Sequence, residues 1–256
     1  MTEVAAPSPG QGQQIPEFLW SDPAEAYLAR LRAEYDLERV VGAGDPYARA
    51  CAATAWVHGR WRHDGDSPAA LLDPLAILRA AEAGASFRCM EYAVVLCSVL
   101  NALGIPARQL IVMTHDVETR EGGAAHAVTE AFLPDRRAWV MLDGQWGMAA
   151  TAGGEPTSAV GLVRARMRKD GSAGAAALTG GDAAAYLAWI APYLYFFETA
   201  FDARVPPSSD PDQPRLMLVP SGVREPVVFQ CRAPMRGVVY TRLIRDFYPD
   251  LSRSGG

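Results

Sequence analysis

The chain changes period at Pro106. Before it, apolar residues recur at helical spacing; after it, apolar and polar residues alternate as they do in strands. The last helical segment begins at Phe87-Arg88-Cys89-Met90-Glu91-Tyr92, runs through Ala93-Val94-Val95-Leu96 and stops at Leu103-Gly104-Ile105-Pro106. That boundary sets Cys89 at a helix start. Unpaired N–H groups and the positive end of the backbone dipole favour a thiolate there.

The strands that follow carry two further polar residues. Gln109 to Thr114 reads as a buried strand, followed by a loop containing Gly122-Gly123. His126 to Leu133 alternates, with His126, Val128, Glu130 and Phe132 on one face, and Ala138 to Asp143 returns after the turn signal Pro134-Asp135-Arg136-Arg137. A two-residue loop sets His126 opposite Asp143. A four-residue loop sets Asp143 opposite Val128, one step from His126 and on the same face. Either register brings imidazole and carboxylate within cross-strand reach, whereas an odd loop or a bulge separates them. A thiolate beside an imidazole that a carboxylate orients is a nucleophile for acyl transfer.

Each residue alone has an ordinary reading. Most free cysteines are buried structural thiols, and Cys51, Cys97 and Cys231 fit that description. Cys89 differs in its polar neighbours Ser86, Arg88 and Glu91 at a helix start. Trp56 and Trp61 read first as core, although Trp61, Gln145 and Trp146 are also candidates for a second oxyanion donor or substrate wall beside the Cys89 N–H. Arg108 is expected to pair with a carboxylate. His58, His63 and His115 lie near loops or helix ends without a metal-ligand spacing, so no metal and no cofactor is expected.

Around this centre, helices are predicted at Ala24 to Tyr35, from Asp45-Pro46 to about Trp61, and from Asp73-Pro74 to Gly84. Ala149 to Thr157 is small and polar, and Gly171 to Gly181 reads as a low-complexity loop. Asp182 is expected to cap an aromatic helix over Ala183 to Thr199 bearing Tyr186, Trp189, Tyr193, Phe196 and Phe197. Pro206 to Pro214 resembles a linker, with short strands at Arg215–Val219, Pro226–Cys231 and Gly237–Thr241.

Composition bounds the function classes. Of 256 residues, 50% are hydrophobic and 21% charged, as in an ordinary globular protein, and the net charge of −5 offers no basic stripe for nucleic acid. No stretch approaches the ~20 apolar residues of a membrane span. Residues 1–16 read as a disordered tail without the features of a signal peptide. Four widely spaced cysteines without a CxxC suit a reducing cytoplasm.

The motifs Phe87-Arg88-Cys89-Met90-Glu91-Tyr92-Ala93, Ala102-Leu103-Gly104-Ile105-Pro106-Ala107-Arg108, His126-Ala127-Val128-Thr129-Glu130 and Trp139-Val140-Met141-Leu142-Asp143 resemble the core of the bacterial transglutaminase-like superfamily. The resemblance covers about Tyr47 to Trp146 and is most specific at Leu103-Gly104-Ile105-Pro106-Ala107-Arg108. It implies a papain-like α+β fold in which the cysteine helix packs on an antiparallel sheet, followed by a C-terminal helix-and-strand extension over about 182–250. Residues 17–256 are then expected to form one domain. By that match Cys89 is the nucleophile, His126 the base and later acid, and Asp143 the residue that orients His126. One departure is Asp143-Gly144-Gln145-Trp146, where the family commonly has Asp-Pro-Thr.

The expected function is cysteine-based acyl transfer on a peptide, amide or thioester-linked acyl substrate, with hydrolysis as the default outcome. An amide-forming acyltransferase is the alternative within that chemistry, and an inactive binding module of the same fold lies outside it. A zinc enzyme using Cys89 and His126 as ligands lacks a third ligand. No nucleic acid or membrane partner is expected, and the oligomeric state is left open.

Overall fold

A computed structural model describes residues 15–208, 210 and 212–251. The expected N-terminal tail falls outside the described residues up to position 14. The N-terminal third is helical: α1 (Ala26–Glu34), α2 (Leu37–Val41), α3 (Pro46–His58), α4 (Pro74–Glu82) and α5 (Cys89–Ala102). Asp45 and Asp73 start α3 and α4 by accepting the Ala48 and Ala76 N–H groups, each at 2.7 Å, with proline at the first helical position.

The helix α5 is the centre of the molecule. Every residue from Glu91 to Ala102 is buried, so within this helix only Cys89 and Met90 reach solvent. A helix apolar on all sides belongs in a core, where each buried Leu or Val contributes about 1.5–3 kcal/mol. Its end is a Schellman turn. Gly104 at φ +75° donates to the Asn101 carbonyl and Ile105 to that of Leu100, after which Pro106 starts the first strand.

The rest of the chain alternates strand and helix: β1 (Ala107–Met113), β2 (Ala125–Leu133), β3 (Ala138–Asp143), β4 (Met148–Ala152), β5 (Glu155–Pro156), α6 (Ala159–Arg168), β6 (Ala173–Ala177), α7 (Ala183–Ile190), β7 (Phe196–Ala200), β8 (Arg215–Leu218), β9 (Val228–Phe229), β10 (Ala233–Pro234), β11 (Val238–Thr241) and α8 (Ile244–Phe247). One sheet runs in the order β11-β8-β7-β1-β2-β3-β4-β5, with β6 also on β4. All pairings in it are antiparallel except β11 on β8. The molecule is α+β, with α5 on an antiparallel sheet.

The β2–β3 hairpin takes the four-residue loop. Phe132 pairs with Trp139 and Leu133 with Ala138, and Arg137 closes the turn at φ +49°. Two faces follow from the alternation. Ala131 and Leu133 join the core built around α5, and Thr129 donates its hydroxyl to the Ala93 carbonyl at 3.2 Å. Val128 faces the opposite core with Tyr186 and Ile190 of α7.

Two expectations are corrected. The aromatic helix ends at Ile190, passes through a 3-10 turn at Ala191–Tyr193, and gives way to β7. Pro192 removes an N–H donor from any continuation, and Phe196 to Thr199 fits a pleated strand on the free edge of β1. Within Gly171 to Gly181, the stretch Ala173–Ala177 is a strand because it completes the open edge of β4. The small residues from Met148 to Ala152 form strand β4. Alanine and glycine have no side-chain period to announce this.

Candidate active site

The three polar residues singled out by spacing meet at one end of α5. His126 Nε2 lies 2.7 Å from Asp143 Oδ2, and both residues are buried. That contact leaves Nδ1 as the ring nitrogen for Cys89, whose thiol lies against the His126 side chain and accepts from the Ala127 N–H. Asp143 is itself held: its Oδ1 accepts the Trp146 N–H at 3.1 Å, and the buried Tyr186 phenol lies beside the carboxylate.

The electrostatics of the pair run in opposite directions. Burial disfavours a Cys89 thiolate, but the His126 ring and the Ala127 N–H outweigh it, so the thiol pKa falls below its ordinary value. Burial also disfavours a charged imidazole. The Asp143 carboxylate, with Cys89, overcomes that and raises His126 to about 9. The arrangement favours thiolate beside imidazolium.

The surroundings fix this geometry. Glu91, fully buried on α5, accepts the Ala69 N–H at 2.9 Å and the Arg88 guanidinium at 3.0 Å, which ties the loop before α4 over the helix start. The turn after Asp143 is held by His58 of α3, whose Nδ1 lies 3.0 Å from the Gln145 carbonyl. A Cβ at Gly144 would lie 3.4 Å from Tyr92 Cβ and 3.5 Å from Val57 Cγ1, at ordinary contact distance, so the turn packs against α5 and α3.

The remaining sequence candidates are placed as follows. Trp61 is buried against Phe87 and Tyr92, and its indole N–H has no partner among the described residues. Trp146 packs on Trp189 at 4.9 Å between ring centres, and its indole N–H is likewise unpartnered. Gln145 Oε1 is buried without a partner. Arg108 is fully buried and pairs with Glu130 at 2.8 Å, as expected, while Trp139, Phe247 and Tyr248 stack around its guanidinium. Among the described residues no group of His, Cys, Asp and Glu side chains is placed to hold a metal ion, and no helix is long and apolar enough to cross a membrane.

Other residues beside the centre had no individual signal in sequence. Trp189 meets the His126 ring edge-on at 4.9 Å, and Tyr193 follows at 6.2 Å. The aromatic character of their segment was visible, but its docking over His126 depends on how α7 packs. His63 forms a backbone bridge with Phe87, and burial together with the nearby His126 lowers its pKa.

Residues 35–144 match the family described as the Transglutaminase-like superfamily. Solved structures share parts of the chain. A candidate cysteine protease from Cytophaga hutchinsonii is 17% identical over 47% of this chain and 39% of its own, with a TM-score of 0.38. Red sea bream transglutaminase is 21% identical over 46% and 25%, at 0.31. A candidate protease from Parabacteroides distasonis is 15% identical over 62% and 30%, at 0.33. The chain thus spans well under half the length of each of these proteins. No curated protein matches it.

Proposed function

We propose that the protein is a cysteine-nucleophile acyl-transfer enzyme that hydrolyses a peptide or amide bond. The observation that carries this reading is His126 set between the Cys89 thiol and the Asp143 carboxylate, 2.7 Å from the latter. The Cys89 thiolate attacks the carbonyl carbon and forms the S–C bond, with negative charge moving to the oxygen. The Cys89 N–H at the start of α5 faces that charge. Collapse breaks the C–N bond as His126 gives its proton to the leaving nitrogen. Water then adds to the thioester, His126 takes a proton, and the S–C bond breaks to release the acid. Asp143 holds the ring in the orientation both steps require.

Trp61 and Trp146 are the candidate second donors to the oxyanion, because each has a buried indole N–H with no other use. An activated acyl ester tests the whole reading. It should leave one acyl mass on Cys89, none on Cys89→Ser, and free acid should accumulate whether or not amines are added. Saturable amide formation that outpaces free acid would replace hydrolysis with aminolysis, and no acyl-enzyme at all would reduce the fold to a binding module.

A further inference from the structure

Cys89 and Met90 are the two solvent-reaching residues of α5, and Met90 borders a groove on the sheet. Met90 lines a cavity of about 160 Å³ whose wall includes Leu72, Ile111, Glu198, Gln213 and Arg215. Its floor is the α5 face of the sheet where the strands run out from under the helix. Ile111 of β1 pairs with Ala127 of β2 on one side and Glu198 of β7 on the other, so the three form a row across the sheet. Ala127 is the residue whose N–H meets Cys89. Two strand spacings of about 4.8 Å put Glu198 roughly 10 Å from it.

Glu198 is only 5% exposed, and its nearest cation is loosely placed. Arg215 Nη1 stands 3.5 Å from Glu198 Oε1, while Arg215 Nη2 is committed to the Arg236 carbonyl at 2.7 Å. Four lining residues have a buried polar atom without a partner among the described residues: Glu198 Oε2, Gln213 Oε1, Arg215 Nε and Arg108 Nε, the last belonging to the guanidinium paired with Glu130 on the opposite sheet face. Asp202, the other carboxylate in the lining, is already taken by Arg204 through three hydrogen bonds. Buried polar atoms are ordinarily satisfied, so Glu198, Gln213 and Arg215, with two idle acceptors and one idle donor in a single cavity, describe their complement. It carries several N–H donors beside an acceptor oxygen.

We propose that this cavity receives the free amino terminus of a peptide substrate. The terminal ammonium donates to Glu198 Oε2 and Gln213 Oε1, and the first carbonyl accepts from Arg215 Nε. An extended chain covers about 3.3–3.6 Å per residue, so roughly three residues separate that terminus from the carbonyl at Cys89. A blocked terminus offers an acyl group where the charge belongs and leaves the buried carboxylate unmatched. The inference rests on the acyl-transfer reading above, with a peptide as the acyl donor.

The experiment compares trialanyl-aminomethylcoumarin with its N-acetyl form. The full-length wild type should favour the free form by about tenfold or more in kcat/KM, since one well-made charged contact is worth that much. Glu198→Gln should bring the ratio close to one by slowing the free form, and Gln213→Leu should lower it in part if Glu198→Gln does not fold. Equal cleavage of the two forms by wild type, or an undiminished ratio in Glu198→Gln, overturns the proposal. Calorimetry on Cys89→Ala with trialanine amide and its N-acetyl form reads binding without turnover. Saturable binding of the free form alone supports the subsite even if neither coumarin is cleaved, and in that case the hydrolase reading has failed instead. Binding that does not distinguish the two forms overturns the subsite, while acylation of Cys89 by an activated ester leaves the nucleophile standing.

Discussion

His126 and Asp143 touch through Nε2 and Oδ2 at 2.7 Å, although Asp143 falls one step beyond the last β2–β3 pair, Thr129 with Leu142. The contact is therefore diagonal. Its geometry depends on the four-residue loop that sets the register, and on the Trp146 N–H that holds the other carboxylate oxygen at 3.1 Å.

That dependence makes Asp143→Asn a sharp probe. The amide keeps the shape and the Trp146 contact, so the protein should unfold within a few degrees of wild type. Its carboxamide no longer selects one ring tautomer, and turnover should fall on the order of 10²–10⁴-fold. Steady-state rates beside circular dichroism melts check both halves, and near-normal turnover in a folded Asp143→Asn variant would move the orienting role elsewhere.

The opposed pKa shifts of Cys89 and His126 define a pH window. The thiol is lowered, so thiolate is present below the ordinary thiol range and is lost as pH falls through the depressed value. His126 is raised to about 9, so its proton is present below that pH and is lost above it. The profile of kcat/KM should be bell-shaped, with its alkaline limb near 9 and its acid limb below the pKa of a free thiol. Iodoacetamide at mildly acidic pH should label Cys89 well before Cys97, whose pKa burial pushes up to about 12, and before Cys51, also raised by burial. Mass mapping that finds equal rates at these positions would contradict the thiolate.

The parts of the fold visible in sequence are those with a strong local period. The helix α5 shows its apolar run and its Gly-Pro stop, and the β2–β3 hairpin shows alternation on both sides of a turn. Even the choice between two loop lengths left His126 and Asp143 on one face. β6 was hidden because alanine and glycine carry no period, and β7 because Phe196 and Phe197 continue the aromatic pattern of α7. The meeting of Cys89, His126 and Asp143 was legible for the same local reasons. The edge contact of Trp189 on His126 was not, because nothing in a sequence states which sheet face α7 will cover.

The Arg108–Glu130 pair is a structural tie rather than part of the chemistry. Arg108 is fully buried, donates to the Phe247 carbonyl at 2.6 Å, and is ringed by aromatics from the C-terminal segment. Glu130 also accepts from Tyr248 and from the Ala159 N–H. Removing one partner leaves a buried charge uncompensated, at a cost of about 3–5 kcal/mol. Arg108→Ala should therefore lower the urea midpoint strongly with little change in the slope of the transition. A loss below about 1 kcal/mol would place the C-terminal segment's anchorage in its aromatic contacts alone.

Trp61 and Trp146 compete for the second oxyanion contact, and phenylalanine separates them. Phe keeps most of the apolar bulk of each indole and removes only the N–H that lacks a partner. If that N–H meets the developing oxyanion, its loss should lower kcat by about 10²–10³-fold while KM changes little, because the contact strengthens only in the transition state. The other tryptophan, acting as wall or core, should shift KM or stability instead. Trp61 packs between Phe87 and Tyr92, the two aromatic residues that flank Cys89 in the chain. Trp146 stacks on Trp189, on the His126 side. On the proposed mechanism the oxyanion forms at the Cys89 N–H, so Trp61→Phe is expected to give the kcat effect and Trp146→Phe the KM effect. The reverse pattern in parallel kinetics would assign the contact to Trp146, and unchanged kcat in both variants would leave the Cys89 N–H as the donor.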